Sequence, residues 1–212
     1  MRQVNMQPFT VILVRHGHVE GIEPPRFRGR IDLPLTERGR RQAVATADFI
    51  SSRWTASAIY SSPLSRCMDT AEAIAKKQTV PVLPLPDLLD IDYGTWQGRT
   101  RDEVKSAAPE LFKAWMEQPH LTVIDRAETL QDVQARLIRA FDLMRRAHPD
   151  GTVIAIGHDS TNRIFVSLAL DLSLSHYWRL QQDPCAINVL RFDDAGSHVV
   201  SINQTAHLAA DL

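Results

Sequence analysis

Residues 10–20 read TVILVRHGHVE: an unbroken apolar run, Val11 to Val14, passes directly into Arg15, His16, a glycine and His18. A short apolar run of this kind suits a strand buried on both faces, as in the middle of a parallel sheet. In open α/β sheets the ligand crevice lies beyond the C-terminal strand ends, where helix N-termini and loop amides converge. Positive charge at that end is placed to meet an anion.

Working outward, the same pattern recurs. Residues 152–157, TVIAIG, form a second apolar run that ends in His158 and Asp159, and "SAIYSS" forms a third that stops at Pro63. Helical patterns separate these runs. Thr36 is a candidate N-cap for a helix burying Ala43, Ala47 and Ile50, and Pro63 suits the first turn of a helix through "LSRCMDTAEAIAKK". Val133, Leu137, Phe141 and Met144 keep helical spacing between Thr129 and Ala147, "HDSTNRIFVSLAL" reads as a turn into another helix, and "AINVLRF" with "SHVVSI" reads as a closing hairpin. The alternation predicts an α/β fold. From about 81 to 128 the chain is less regular: Pro81, Pro84 and Pro86 break short extended pieces, and helical candidates follow around 101–117. Trp96 and Trp115 read as packing residues.

No repeat or linker divides the 212 residues, which are 44% hydrophobic, so a single domain over 1–212 is expected, with 81–128 as its substrate side. The 24 basic and 25 acidic residues leave a net charge of -1 and no global field to draw nucleic acid or an acidic membrane. Cys67 and Cys185 follow neither zinc nor disulfide spacing. The N-terminal apolar run is too short for a signal peptide, and no stretch approaches a membrane span. A cytoplasmic protein is expected, with no nucleic acid or membrane partner; a homodimer is left open.

Arg15 and His16 after one strand, Arg66 early in the helix after another, and His158 after a third would together form a pocket for a tetrahedral dianion. A neutral imidazole held in line with phosphorus is also a nucleophile, so such a pocket can pass through a phosphohistidine.

"LVRHG", "DLPLTERGRRQA", "SSPLSRCMDTAEAI", "DIDYGTWQG" and "GHDSTNR" occur in order from about residue 10 to 205 and together resemble the histidine phosphatase superfamily, the phosphoglycerate mutase-like family. The resemblance implies a three-layer α/β/α sandwich around a mainly parallel sheet, no metal or other cofactor, and a small phosphorylated metabolite as substrate. It implies a nucleophile at His16, phosphate-binding partners at Arg15, Arg66 and His158, and a carboxylic acid that protonates the leaving group.

The acid departs from the usual pattern. The family block resembles L-x-E-x-D-x-G-x-W-E-G, and the glutamate position is Asp90 here, one methylene shorter. Asp159 is the rival, because its His-Asp dipeptide resembles the acid phosphatase and phytase branch. Ile22 stands where many members place an asparagine, and His18 where glutamate or glutamine is common. Substitutes are sought in "RFRGR": His18, Arg28 and Gly29 are expected on the substrate side, and Arg26, Arg28 and Arg30 as readers of a second anionic group. Three rivals stand beside a phosphatase. Phosphoglycerate mutase-type transfer is disfavoured by the short chain. A metal hydrolase built on His16, His18, His158 and Asp159 is disfavoured by Arg15, which would repel a cation. A binding module without turnover is the third.

Overall fold

The computed structural model describes residues 8–208. The reading of the extreme N-terminus as carrying no leader rests partly on residues 1–7, which lie outside the described residues. Six strands form one sheet: β1 (Phe9–Arg15), β2 (Ala58–Ser61), β3 (Val82–Pro84), β4 (Thr152–Gly157), β5 (Ile187–Asp193) and β6 (Gly196–Gln204). Their order is β3-β2-β4-β1-β5-β6. β3, β2, β4 and β1 run parallel, while β5 pairs antiparallel with both β1 and β6. The helices are α1 (Glu37–Ser51), α2 (Ser65–Gln78), α3 (Arg101–Ala107), α4 (Pro109–Glu117), α5 (Leu130–Ala147) and α6 (Asp159–Ala169).

Successive side chains of a strand point to opposite faces, and β1 uses both. Ile12 and Val14 join Ile154 and Ile156 against Ala47 and Ile50 of α1 and Ala71 and Ile74 of α2. Val11 and Leu13 join Val153 and Ala155 against Leu137, Ala140 and Met144 of α5 and Ile164 and Phe165 of α6. Helices on both faces of a mainly parallel sheet make the expected three layers. Each fully buried Leu, Ile or Val contributes roughly 1.5–3 kcal/mol, which is why the apolar runs at β1 and β4 occupy the centre. Trp96 and Trp115 are buried in the same core as Phe27, Tyr93 and Tyr177, as packing residues would be.

Local signals set the helix starts. Thr36 Oγ1 accepts from the Gly39 amide at the head of α1, and Thr129 and Asp132 form a capping box on α5. Pro63 departs from expectation: it lies one position before the N-cap Leu64, outside the first helical turn. The reason is that Asp32 Oδ1 takes both the Ser65 amide (2.8 Å) and the Ser65 hydroxyl (2.7 Å), supplying the cap that a leucine side chain cannot.

Topology places the site. From β1 the chain crosses by α1 to β2, and from β4 it turns by α6 toward β5 on the other side of β1. The connections diverge between β1 and β4, which creates a crevice at the C-terminal strand ends. The parallel register sets Arg15 opposite Gly157, so the next residue along each strand, His16 and His158, emerge side by side.

Candidate active site

His16 is 1% exposed, and its amide continues the sheet by donating to the Gly157 carbonyl at 3.1 Å. Its Nδ1 lies 2.7 Å from the Gly17 carbonyl. A carbonyl only accepts, so Nδ1 carries the ring hydrogen and Nε2 keeps its lone pair. Burial, reinforced by positive charge from Arg66, Arg15 and Arg28, holds the imidazole well below its usual value. The ring is therefore neutral and nucleophilic at ordinary pH. Gly17 is required beside it because a Cβ there would stand 2.5 Å from the Gly39 carbonyl oxygen of α1.

Arg66 and His158 are both wholly buried. Arg66 Nε donates to His158 Nδ1 at 3.3 Å. An arginine offers only hydrogens, so the His158 proton sits on Nε2, where it is donated to Ser62 Oγ at 2.8 Å. Burial, Arg66 and more distant arginines hold this ring too well below its usual value. The two imidazoles pack edge to face with centroids 5.2 Å apart. The other nitrogens of Arg66 donate to the carbonyls of Ile31 and Gly29, each at 2.7 Å, fixing the fork in place.

Arg15 is 5% exposed, with one guanidinium nitrogen on the Gln182 carbonyl and a buried Nε that meets no acceptor. It opens onto a polar cavity of about 150 Å³ that Arg28, Asp90, Arg101, Asp159, Ser160 and Trp178 also line. Arg28 donates to the Gly21 carbonyl at 2.6 Å, and its buried Nε likewise meets no acceptor. Burial and the neighbouring Arg15 pull Arg28 down to about 10. Two buried donors thus lack partners on residues that line a cavity where arginines outnumber carboxylates, an arrangement whose charge suits an anion.

The structure separates the two candidate acids. Asp90 is 6% exposed and sits within the cradle: Oδ2 lies 3.4 Å from Arg66 and 3.7 Å from His158 Nδ1. Its Oδ1 accepts from the Ile91 amide at 3.0 Å and from the Ser160 hydroxyl. Asp159 also lines the cavity, but its carboxylate is paired with Arg163 one helical turn on, at 2.7 Å.

His18, Gly29 and Arg30 are placed differently from the substrate-side expectation. The His18 ring meets Thr36 Oγ1 at 2.9 Å and does not line the cavity. Gly29 has a positive φ of 50° and offers its carbonyl to Arg66, so it shapes the anion cradle from behind. Arg30 turns away to Glu128 at 3.0 Å, leaving Arg26 and Arg28 of that loop at the cavity. With His18 held by Thr36 and Asp159 by Arg163, the four-residue metal set does not assemble.

Sequence reasoning missed four supporting residues. Ser62 orients His158, and its place at the end of β2 was a usable signal. Ser160 lies two residues beyond His158 in the same motif. Gln182, 167 residues from Arg15, had no local signal, nor did Arg136, whose guanidinium binds the carbonyls of Asp87, Leu89 and Asp90 and thereby holds the loop that carries Asp90.

A family model described as histidine phosphatase superfamily (branch 1) matches residues 11–205. The chain is 32% identical over 198 residues to phosphoserine phosphatase 1 of Hydrogenobacter thermophilus, covering 93% of each. It is 33% identical over 202 residues to the bifunctional protein Rv2228c of Mycobacterium tuberculosis, covering 95% of this chain and 55% of that one, so it spans about half of that relative's length. The solved structure of Bacillus stearothermophilus YhfR aligns with a TM-score of 0.89 at 28% identity, over 94% of this chain and 99% of that one. The family match runs from the strand that carries His16 to the end of the closing hairpin, and this chain therefore belongs to the histidine phosphatase superfamily, branch 1.

Proposed function

We propose that the protein is a metal-independent phosphomonoesterase that hydrolyses a small phosphorylated metabolite through a phosphohistidine. The observation that carries the reading is the His16 tautomer: with Nδ1–H on the Gly17 carbonyl, Nε2 keeps its lone pair in a ring that packs against His158 and feels the positive charge of Arg66, Arg15 and Arg28. His16 Nε2 attacks phosphorus while the bond to the leaving oxygen breaks, and Asp90 gives that oxygen a proton. Water then attacks phosphorus, the phosphorus–nitrogen bond breaks, and Asp90 takes the water proton back. Arg15 and Arg66 stabilise the equatorial oxygens in both steps, and His158 holds the Arg66 fork in position. Asp90 is preferred over Asp159 because it is buried beside His158 and stands at the acid position of the motif block, whereas the Asp159 carboxylate is turned to Arg163.

Excess positive charge at Arg26, Arg28 and Arg101 favours a leaving group with a second anionic group, and a cavity of about 150 Å³ favours a small one. Relatives named phosphoserine phosphatase 1 and metal-independent phosphoserine phosphatase make phosphoserine the first substrate to assay.

The test is phosphate release from a panel of phosphomonoesters after exhaustive chelation, with rapid denaturation in alkaline detergent to trap the enzyme-bound phosphoryl group. Full turnover and an acid-labile phosphoenzyme, both abolished in His16→Gln, are expected. Activity that needs added metal, transfer to a second glycerate in place of water, or phosphate binding without turnover would each replace this reading.

A further inference from the structure

We propose that Ser160 relays the proton between Asp90 and the leaving oxygen, a role that rests on reading Asp90 as the general acid. An aspartate at this position holds its carboxyl one methylene nearer the backbone than the glutamate of the family block. Asp90 is also held back by its surroundings. Its carbonyl is gripped by Arg136 at 3.2 Å and Arg30 at 3.4 Å, and its Oδ1 by the Ile91 amide. The carbonyl bonds fix the backbone, and the carboxyl does not swing outward without breaking its bond to the Ile91 amide.

Ser160 lies where the missing reach is needed. It is 2% exposed, in the first turn of α6, two residues after His158. Its hydroxyl is bonded to Asp90 Oδ1, and both residues line the cavity that Arg15 and Arg28 enter. A hydroxyl donates and accepts at once. While Asp90 is ionised, Ser160 donates to it; when Asp90 carries the proton, Asp90 donates to Oγ and the serine hydrogen is free to point into the cavity. Proton transfer through one bridging group satisfies the geometric requirement for acid–base catalysis.

The step balances without another reactant. As the phosphorus–oxygen bond breaks, the leaving oxygen takes the Ser160 hydrogen and Oγ takes the Asp90 proton, so serine remains a hydroxyl and aspartate becomes a carboxylate. In the second half-reaction water gives a proton to Oγ, whose own hydrogen passes to Asp90, while the water oxygen bonds to phosphorus and His16 departs.

The experiment measures leaving-group release in the first turnover, which isolates phosphoenzyme formation. Two substrates are compared: 4-nitrophenyl phosphate, whose phenolate departs without a proton, and phosphoserine, whose alkoxide requires one. Ser160→Ala is expected to slow phosphoserine by roughly 10²-fold or more and 4-nitrophenyl phosphate by less than about 10-fold. Ser160→Thr keeps the hydroxyl and is expected to stay within about 5-fold of wild type on both substrates. Asp90→Glu in the Ser160→Ala background restores the methylene and is expected to recover at least about 10-fold on phosphoserine. Equal slowing of both substrates, unchanged release from phosphoserine, or no recovery with glutamate overturns the relay. Intact release in Asp90→Asn overturns the acid assignment and the relay with it, and a wild-type protein that turns over neither substrate overturns the phosphatase reading itself.

Discussion

The Arg66 guanidinium meets the Asp90 carboxylate at 3.4 Å, with Arg66 wholly removed from solvent. The same fork holds the carbonyls of Gly29 and Ile31 and the His158 ring, so one side chain from α2 ties together the loop after β1, the loop bearing Asp90 and the turn after β4. A buried cation with this many partners is costly to interrupt, since each partner is left buried and unpaired. In the proposed mechanism it is a preorganised donor, needing little rearrangement when an anion arrives.

Arg66→Ala is expected to lower kcat by roughly 10²- to 10³-fold and to weaken inhibition by inorganic phosphate in parallel. Truncation also leaves Asp90 and two carbonyls without their donor, at a cost on the order of 3 kcal/mol. Arg66→Lys restores charge but not the fork, and should remain at least about 10-fold below wild type. Steady-state kinetics and urea denaturation check both halves; unchanged kcat and phosphate inhibition would remove Arg66 from the anion site.

Gly29→Ala is expected to destabilise the fold by about 1–3 kcal/mol, because a side chain is forced onto a left-handed backbone. The new Cβ would also stand 2.5 Å from Gln97 Oε1 and 3.0 Å from the Ile91 carbonyl oxygen. Because the Gly29 carbonyl anchors Arg66, kcat should fall along with the melting temperature. A variant that melts lower but retains full kcat would separate the turn from the anion cradle.

Arg28→Ala is expected to change selectivity. A hydrogen bond to a charged group contributes about 1.5–3 kcal/mol. The kcat/KM ratio between phosphoserine and an uncharged alkyl phosphate should therefore drop roughly 10-fold or more. An unchanged ratio would mean that Arg28 reads no second anion. Bisphosphate and carboxylate substrates, run side by side, show which anion it prefers.

Stability of the free protein should fall on acidification below the ordinary histidine value of 6.5. His16 and His158 are held well below that value in the fold, chiefly by burial. Between the two values the unfolded chain binds protons that the folded one does not, so unfolding is favoured as pH drops, by up to about 1.4 kcal/mol per pH unit for each ring. His18 and His207 are lowered as well and act in the same direction. Chemical denaturation at pH 7.5, 6.5 and 5.5 checks the sign, and His16→Gln should reduce the slope. A stability that rises on acidification over this range would contradict the buried neutral imidazoles.

What was legible in the sequence was whatever a short window contains. The apolar runs of β1 and β4 showed which segments are buried, since such a run has few ways of avoiding solvent other than the middle of a layered sheet. Arg15, His16 and His158 were legible because they follow those runs directly, and the Thr36 and Thr129 caps because capping is a local bond. The ordered motif blocks supplied Arg66 and Asp90 by resemblance.

Tertiary structure alone decided the rest. Hydrophobic pattern shows that β4 is buried, but only packing across both helical layers inserts it between β2 and β1, and only the Arg15–Gly157 register brings the two imidazoles to one place. Arg28 and Arg30 are nearly adjacent in the chain, yet one lines the cavity and the other turns to Glu128, because the direction of a loop side chain depends on distant partners. The surroundings of Asp90 and Asp159 had the same origin: one carboxylate lies against Arg66 and His158, the other against Arg163. Periodicity records burial over a few residues, whereas hydrogen bonds between segments more than a hundred residues apart leave no trace until the chain is folded.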